Sequence, residues 1–271
     1  MGKGLRACLS AATFFLAAAA ARAEALSVPI DYEGRAIALS GVLDKPSGAG
    51  PFPVAMLLHG CGGNNAYALG RSEAWAGLLH EAGYATFIFD SFTARGYSSV
   101  CNNPSLVSAE ERAKDIYAAA LVLAGRPDIR PDGIAAIGFS HGGWAVLDAA
   151  AADRSSLGPY RERLAARGRI AAFIAFYPGC RHAEHDAFLA PLLILVGDQD
   201  GLSSATICQR LAAMPRPGGP ELRLKVYPGA VHDFDYEHAH GELRGTRLAY
   251  DPAAAADARL QVAAFLREYL K

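Results

Sequence analysis

A serine flanked by glycines is the residue whose surroundings point most directly to chemistry. It lies in the run Gly138-Phe-Ser140-His-Gly142-Gly143, after a predicted strand at 133–139 and before a predicted helix at 141–151. A tight strand-to-helix turn leaves no room for side chains beside the serine, and it places the hydroxyl at the positive end of the helix. In this context the pattern predicts that Ser140 is a nucleophile, rather than part of an ordinary glycine-rich turn.

A serine hydroxyl is a weak nucleophile at neutral pH, so it needs a base, and the base needs an orienting acid. The run Gly197-Asp198-Gln-Asp200 follows the predicted strand at 192–196 and offers two carboxylates. They lie past the carboxyl end of the strand, where ligands and catalytic groups gather in open α/β sheets. We predict that Asp200 is the acid. Asp198 follows the strand directly and is expected to bond the backbone of the turn.

His232 is the candidate base. It lies on a loop after the last predicted strand, at 222–227, and this completes the chain order serine, aspartate, histidine that accompanies a G-x-S-x-G turn. An ordinary surface or core role is expected for five other histidines: His80, His182, His185, His238 and His240.

A negatively charged oxygen develops when a serine attacks a carbonyl group, and it needs hydrogen-bond donors. The run His59-Gly-Cys61-Gly-Gly63 follows the predicted strand at 54–58, in the position from which a loop supplies a backbone donor. We predict that the backbone N–H groups of Cys61 and His141 form this oxyanion hole. His59 is expected to brace the loop rather than to react.

Short apolar strands alternate with helical segments along most of the chain. This order predicts an α/β fold with a mostly parallel sheet and helices on both faces. The predicted strands are 25–30, 35–43, 54–58, 85–89, 133–139, 170–176, 192–196 and 222–227, and the predicted helices are 69–82, 108–124, 141–151 and one that begins at 251. The polar segment 153–169 is the expected surface insertion. No linker separates two domains, so residues 24–271 are predicted to form one.

The composition excludes several classes of protein. Of the 271 residues, 52% are hydrophobic and 20% are charged, which is too apolar and too mixed for a disordered chain. The formal net charge is -1, so electrostatic binding of nucleic acid is not expected. A chain of this length can bury an ample core without a metal. We expect either a monomer or a homodimer.

Residues 1–23 are predicted to be an export signal. Lys3 and Arg6 precede an apolar run at 9–21, and Ala21-Arg22-Ala23 fits the small-x-small pattern of signal peptidase sites. We expect cleavage at the end of that tripeptide, and hence a periplasmic or secreted protein without stable membrane insertion. The alternative is a membrane anchor, but the run is shorter than the roughly 18–20 residues that span a bilayer.

Cleavage at that site leaves four cysteines, and an even number in an exported protein suggests two disulfides. The four are Cys61, Cys101, Cys180 and Cys208. Three pairings are possible, and spacing alone does not choose among them. Free buried thiols are the alternative.

Taken together, these motifs resemble the dienelactone hydrolase family of α/β-hydrolases, and more specifically its exported members. The resemblance covers nearly all of residues 24–271. Its markers are the runs at 59–63, 90–96, 138–143, 197–200, 227–232 and 251–256. It implies an α/β-hydrolase fold and supports Asp200, since the family's acid is the last residue of G-x-x-D. It also motivates the pairings Cys61–Cys101 and Cys180–Cys208, because the exported relatives typically have cysteines at these positions.

This chain departs from the founding enzymes of the family in two ways. Those enzymes use a cysteine nucleophile, whereas this chain has Ser140, and serine with a histidine base suits general esters rather than an activated lactone. Those enzymes also bind the substrate carboxylate with two arginines. Arg95 matches the first, and Tyr236 stands at the position of the second. The dienelactone specificity is therefore not expected here.

The substrate-binding residues are less well defined by the sequence. Arg95 is a candidate for binding an acidic group, and a loop-bracing ion pair is an equally good explanation. Tyr236 and Trp144 are the further candidates for the pocket wall.

The sequence thus predicts a serine hydrolase that cleaves small carboxylic esters or lactones through an acyl-enzyme, with no metal or organic cofactor. Peptidase or acyltransferase activity would use the same triad. A non-catalytic binding protein on this fold would be expected to lack a triad member, and none is missing. A zinc site on His182-x-x-His185 and His238-x-His240 is disfavoured, because no fourth ligand has a suitable spacing.

Overall fold

The centre of the molecule is a mostly parallel β-sheet. The computed structural model describes residues 23–180 and 187–270, and the predicted signal at 1–23 lies almost entirely outside them. Within the described residues the sheet has eight strands, namely β1 (Glu24–Tyr32), β2 (Arg35–Asp44), β3 (Phe52–Leu58), β4 (Ala85–Phe89), β5 (Ile129–Phe139), β6 (Ile170–Phe176), β7 (Leu192–Gly197) and β8 (Leu222–Tyr227). All eight predicted strands are confirmed, with β3 and β5 beginning earlier than expected.

The strand order across the sheet is β1-β2-β4-β3-β5-β6-β7-β8. The β1–β2 hairpin and the β2–β4 pair are antiparallel, and every pair from β4 to β8 is parallel. Strands β6 and β7 are buried along their whole length, which is why they are continuous apolar runs rather than alternating ones. The parallel strands end at one edge, where the loops that follow β3, β5, β7 and β8 meet.

Helices cover both faces of this sheet. They are α1 (Ala66–Glu81), α2 (Ala109–Ala124), α3 (His141–Ala150), α4 (Gly158–Ala165), α5 (Ala205–Ala213) and α6 (Pro252–Tyr269) in the described part of the chain. The predicted capping residue of α2 is confirmed, because the Ser108 hydroxyl accepts from the N–H of Glu111. Asp251 caps α6 through the N–H groups of Ala253 and Ala254. No described helix is long and apolar enough to cross a membrane.

Two α-helices and one β-hairpin were not predicted from the sequence. The polar segment 153–169, expected as a surface insertion, contains α4, which packs against α2. Helix α5 is the second. The third is a short hairpin of β9 (Glu242–Leu243) and β10 (Thr246–Arg247), which lies between the His232 loop and α6.

Both cysteine pairs form disulfides, as the family resemblance suggested. Cys61 is bonded to Cys101, and Cys180 is bonded to Cys208. The first links the loop after β3 to the loop after β4, and those two strands are neighbours in the sheet.

Candidate active site

The turn between β5 and α3 has a backbone shape that requires glycine around Ser140. Ser140 has φ 54° and ψ -114°, a conformation that non-glycine residues rarely adopt outside functional sites. A Cβ atom at Gly138 would lie 2.2 Å from the carbonyl oxygen of Gly142, and one at Gly142 would lie 2.6 Å from that of Leu58. The Ser140 N–H donates to the carbonyl of Phe176 on β6, 3.0 Å away, and this bond fixes the turn against the sheet.

The loops after β7 and β8 bring a buried carboxylate to a buried imidazole. Oδ2 of Asp200 lies 2.7 Å from Nδ1 of His232, and both side chains are at most 1% exposed. Oδ1 of Asp200 accepts from the N–H groups of Leu202, at 2.8 Å, and Ser203, at 2.9 Å. Because a carboxylate only accepts, His232 donates through Nδ1 and its Nε2 has the free lone pair. Nε2 is buried and has no hydrogen-bond partner among the described residues.

Asp198 has the structural role that its place in the sequence predicted. Its Oδ1 accepts from the backbone N–H of Gly229 at 2.7 Å and from the Gln199 amide at 3.1 Å. It therefore ties the loop after β7 to the loop after β8.

Two cavities meet at Ser140. The smaller one, of about 160 Å³, is lined by Ser140 and His232 together with the glycine-rich loop at 60–63. The larger one, of about 380 Å³, is lined by Ser140, His141 and Trp144. Ser140 and His232 thus line a common space.

The two residues predicted to supply the oxyanion hole both lie near this serine. His141 is the first residue of α3, so its N–H has no acceptor within the helix. Cys61 lines both cavities, and its carbonyl accepts from the N–H of Val100 at 2.8 Å. The disulfide to Cys101 adds a covalent link to the same segment.

The family of the chain follows from its sequence as a whole. Residues 39–270 match the sequence model of the dienelactone hydrolase family. The chain belongs to this family. No protein of curated function matches the sequence.

Several solved structures share the dienelactone hydrolase fold with this chain. A dienelactone hydrolase of Anabaena variabilis is 21% identical, with a TM-score of 0.63 over 93% of this chain and 99% of the other. P91, a dienelactone hydrolase-like promiscuous phosphotriesterase from metagenomic libraries, is 21% identical, with a TM-score of 0.65 over 91% and 98%. An esterase of Pyrococcus furiosus is 17% identical, with a TM-score of 0.61 over 92% and 94%. Membership of the dienelactone hydrolase family supports hydrolase activity on small molecules.

The arginine that matches the first carboxylate-binding position of this family is turned into the protein. The guanidinium of Arg95 makes two hydrogen bonds to Asp115, at 2.8 and 2.7 Å, and a third to the carbonyl of Ser91 at 2.6 Å. Both charged side chains are at most 1% exposed, and the guanidinium lies 4.7 Å from the centre of the Tyr32 ring. These contacts give Arg95 the second of its two predicted roles, that of a loop-bracing ion pair. We therefore leave Arg95 out of the proposed substrate site.

Tyr236, at the second arginine position of the family, is also a packing residue. It is 6% exposed and meets the ring of Tyr67 edge-on at 5.0 Å. The guanidinium of Arg71 lies 5.5 Å from its ring centre and pairs with Asp233 at 2.8 Å. Trp144, in contrast, lines the larger cavity beside Ser140. Of the three predicted substrate contacts, only Trp144 is positioned to make one.

Sequence reasoning missed Arg112, which lies beneath the active-site loops. Its guanidinium is completely buried and donates to the carbonyl of His59 at 2.7 Å and to Nδ1 of His141 at 3.1 Å. One feature of the sequence could have pointed to it: Arg112 is a charged residue on the apolar face of α2, one turn before Ile116, and a buried charge needs partners.

The same network keeps two histidines neutral. Burial, reinforced by the charge of Arg112, lowers the pKa of His59 to about 3 and that of His141 to about 2. His59 braces the loop as predicted, since its ring contacts the carbonyl of Gly60 at 2.8 Å and accepts from the N–H of Ser91 at 3.2 Å.

The residues considered for a zinc site do not come together in the described part of the chain. His182 and His185 lie outside the described residues. His238 is exposed, and its carbonyl contacts the His240 ring at 2.6 Å. Among the described residues, no group of three or more potential metal ligands is arranged around a common point.

Proposed function

We propose that the protein is a serine hydrolase that cleaves small carboxylic esters or lactones through an acyl-enzyme. Ser140 is the nucleophile, His232 the general base and acid, and Asp200 the residue that orients and stabilises the imidazolium. The N–H groups of Cys61 and His141 form the oxyanion hole.

The reaction follows from these roles. Nε2 of His232 takes the hydroxyl proton as Oγ of Ser140 attacks the carbonyl carbon. The negative charge moves onto the carbonyl oxygen, where the two backbone N–H groups stabilise it. The proton on Nε2 then passes to the departing alcohol oxygen, which leaves the acyl group on Ser140. A water molecule repeats the sequence and releases the acid.

The observation that carries the proposal is the buried 2.7 Å contact between Asp200 and His232, together with the cavity that His232 and Ser140 both line. Nε2 of His141 is also buried and unpaired, so the feature that distinguishes His232 is the aspartate on its other nitrogen. An imidazole bound to an aspartate, with its other nitrogen unpaired and a strained serine on the same cavity, is the arrangement that a general base requires.

Steady-state hydrolysis of p-nitrophenyl acetate tests the assignment. The wild-type protein is compared with Ser140→Ala, His232→Gln and, as a matched control, His80→Gln. We expect the first two variants to lose at least roughly 10³-fold in kcat and the control to stay within a few-fold of wild type. An active Ser140→Ala variant, or a wild-type protein inactive on activated esters, would refute the proposal.

We also propose that the protein is exported and acts in the periplasm or outside the cell. The two disulfides are compatible with an oxidising compartment, and the sequence of residues 1–23 fits an export signal. Amino-terminal sequencing of protein from the native host should begin at Glu24. A mature chain that still begins at Met1 would contradict export by this signal.

A further inference from the structure

We infer that the two cavities at Ser140 divide the substrate between them, with the acyl group in the larger and a compact alcohol in the smaller. The inference rests on the proposed function, because it assigns the two sides of an ester to the two sides of that serine. It specifies the substrate class as esters of a bulky acid with a small alcohol.

The position of His232 decides which cavity receives the alcohol. The departing oxygen must take its proton from Nε2 of His232, so it has to lie on the side of Ser140 that the imidazole faces. Of the two cavities that the described residues form at Ser140, only the smaller is lined by His232. The alcohol therefore departs into the smaller cavity. The remaining substituent of the carbonyl carbon, the acyl chain, must extend the other way.

The size of the smaller cavity limits the alcohol. Its volume of about 160 Å³ is comparable to the roughly 150 Å³ that holds a single benzene ring in an engineered protein cavity, and part of it is taken by the reacting carbonyl group. Tyr67, Arg71 and Glu242 are among the residues that line it. A short alcohol fits within this space, whereas a bicyclic aromatic group would have to extend out of it.

The larger cavity suits a bulky acyl group. Its volume of about 380 Å³ lies in the range of small-molecule sites, and Trp144, Leu202 and Ile207 provide apolar contacts within a mixed polar and apolar lining. The indole lies directly against Gly179, where a Cβ atom would come within 1.6 Å of the ring nitrogen. A flat acyl group can stack on the indole.

Two isomeric esters distinguish this placement of the acyl group and the alcohol from the reverse placement. Methyl 1-naphthylacetate carries the ring system on the acid, and 1-naphthylmethyl acetate carries it on the alcohol. The two have the same composition and nearly equal leaving-group basicity. We expect kcat/KM to favour methyl 1-naphthylacetate by at least about tenfold, since a misfit of a few methylene groups already gives such ratios. Equal values, or a preference for 1-naphthylmethyl acetate, would overturn the inference.

Two variants test the assignment of each cavity in turn. Ile207→Trp fills the larger cavity, so the ratio of kcat/KM for methyl 1-naphthylacetate to that for methyl acetate should fall by about tenfold. Ala68→Leu fills the smaller one, so the ratio for propyl acetate to methyl acetate should fall instead. Each ratio is measured on one preparation, so a partly unfolded variant does not distort it. The inference would be overturned if Ile207→Trp lowered the propyl acetate ratio and Ala68→Leu lowered the methyl 1-naphthylacetate ratio.

The failure of this inference differs from the failure of the proposed function. Turnover of methyl acetate with the wrong isomer preference refutes the division of the substrate and leaves the serine hydrolase intact. No turnover of methyl acetate, either isomer or p-nitrophenyl acetate refutes both.

Discussion

The carboxylate of Asp200 has one orientation relative to the imidazole of His232. One oxygen meets Nδ1 at 2.7 Å, while the other accepts two backbone N–H groups from its own loop. Three donors hold the carboxylate in this orientation. The other nitrogen of the imidazole has no hydrogen-bond partner among the described residues, and His232 lines a cavity together with Ser140.

An Asp200→Asn variant should fold normally and lose most of its activity. The amide can still accept the two backbone N–H groups, but it favours the wrong tautomer of the imidazole and no longer stabilises the imidazolium. We expect kcat on p-nitrophenyl acetate to fall roughly 10⁴-fold, with a melting temperature close to that of wild type. Asp198→Asn is the matched control and should lose less than tenfold. Equal losses in both variants would contradict the assignment of Asp200.

Removing Arg95 should affect stability rather than substrate recognition. An Arg95→Met variant leaves the Asp115 carboxylate buried and unpaired, so we expect the free energy of unfolding to fall by about 3–5 kcal/mol. Adding Asp115→Leu removes the unpaired charge and should restore most of the loss. Urea unfolding measures both changes. A variant with native stability and a raised KM only for acidic esters would instead show that Arg95 binds substrate.

The two disulfides should differ in their effect on turnover. A Cys61→Ser/Cys101→Ser variant frees the loop that carries the proposed oxyanion donor, so we expect kcat to fall by on the order of 10²-fold, the scale of losing one donor. A Cys180→Ser/Cys208→Ser variant should lower the free energy of unfolding by about 2–4 kcal/mol with kcat within a few-fold of wild type. Both are assayed well below their melting temperatures. Indistinguishable kcat values would argue against a role for the first disulfide at the oxyanion hole.

The buried histidines should make the protein lose stability in mild acid. The pKa values of His59 and His141 are lowered to about 3 and about 2, from 6.5 in the unfolded chain. At pH values between the folded and the unfolded pKa of each histidine, the unfolded chain binds more protons than the folded protein. The free energy of unfolding therefore falls as the pH drops below about 6.5, by on the order of 1 kcal/mol per pH unit for each histidine. Above that pH these two groups contribute no slope.

Urea unfolding at pH 7 and pH 5 measures this slope. A His59→Gln variant is expected to be less stable than wild type at pH 7 but to lose less stability between the two pH values. The same slope in both proteins would contradict the assignment of a neutral, buried His59.

The parts of the site that could be predicted from the sequence are those that local geometry constrains. The glycines around Ser140 are required because neighbouring carbonyl oxygens occupy the space of a side chain, and this requirement appears directly in the residue pattern. Asp200 and His232 could be predicted because each follows a buried strand, and parallel strands end at one edge of the sheet.

The charged pairs around the site could not be predicted in this way. Arg71 is buried against Asp233, and Arg95 against Asp115, and the partners come from different elements of the fold. Nothing in the local sequence of an arginine tells whether it faces a substrate or a distant carboxylate. This is why Arg95 had two equally good explanations until the fold showed Asp115 beside it.

The missed elements were short. Helix α5 has nine residues, of which Ala205, Cys208 and Leu211 are buried, so its periodicity spans barely two turns. Strands β9 and β10 have two residues each, which is below the length at which alternation can be recognised. Leu243 of this hairpin nevertheless lines both cavities at Ser140.

The most direct test of the account is a rapid-mixing measurement of the first turnover. Wild-type protein and Ser140→Ala are mixed with excess p-nitrophenyl acetate, and protein quenched within the burst is digested and mapped by mass spectrometry. We predict a burst of one p-nitrophenolate per active site, followed by slower turnover, with the acetyl group on the peptide that contains Ser140. A full burst from Ser140→Ala, or an acetyl group on another residue, would contradict the account.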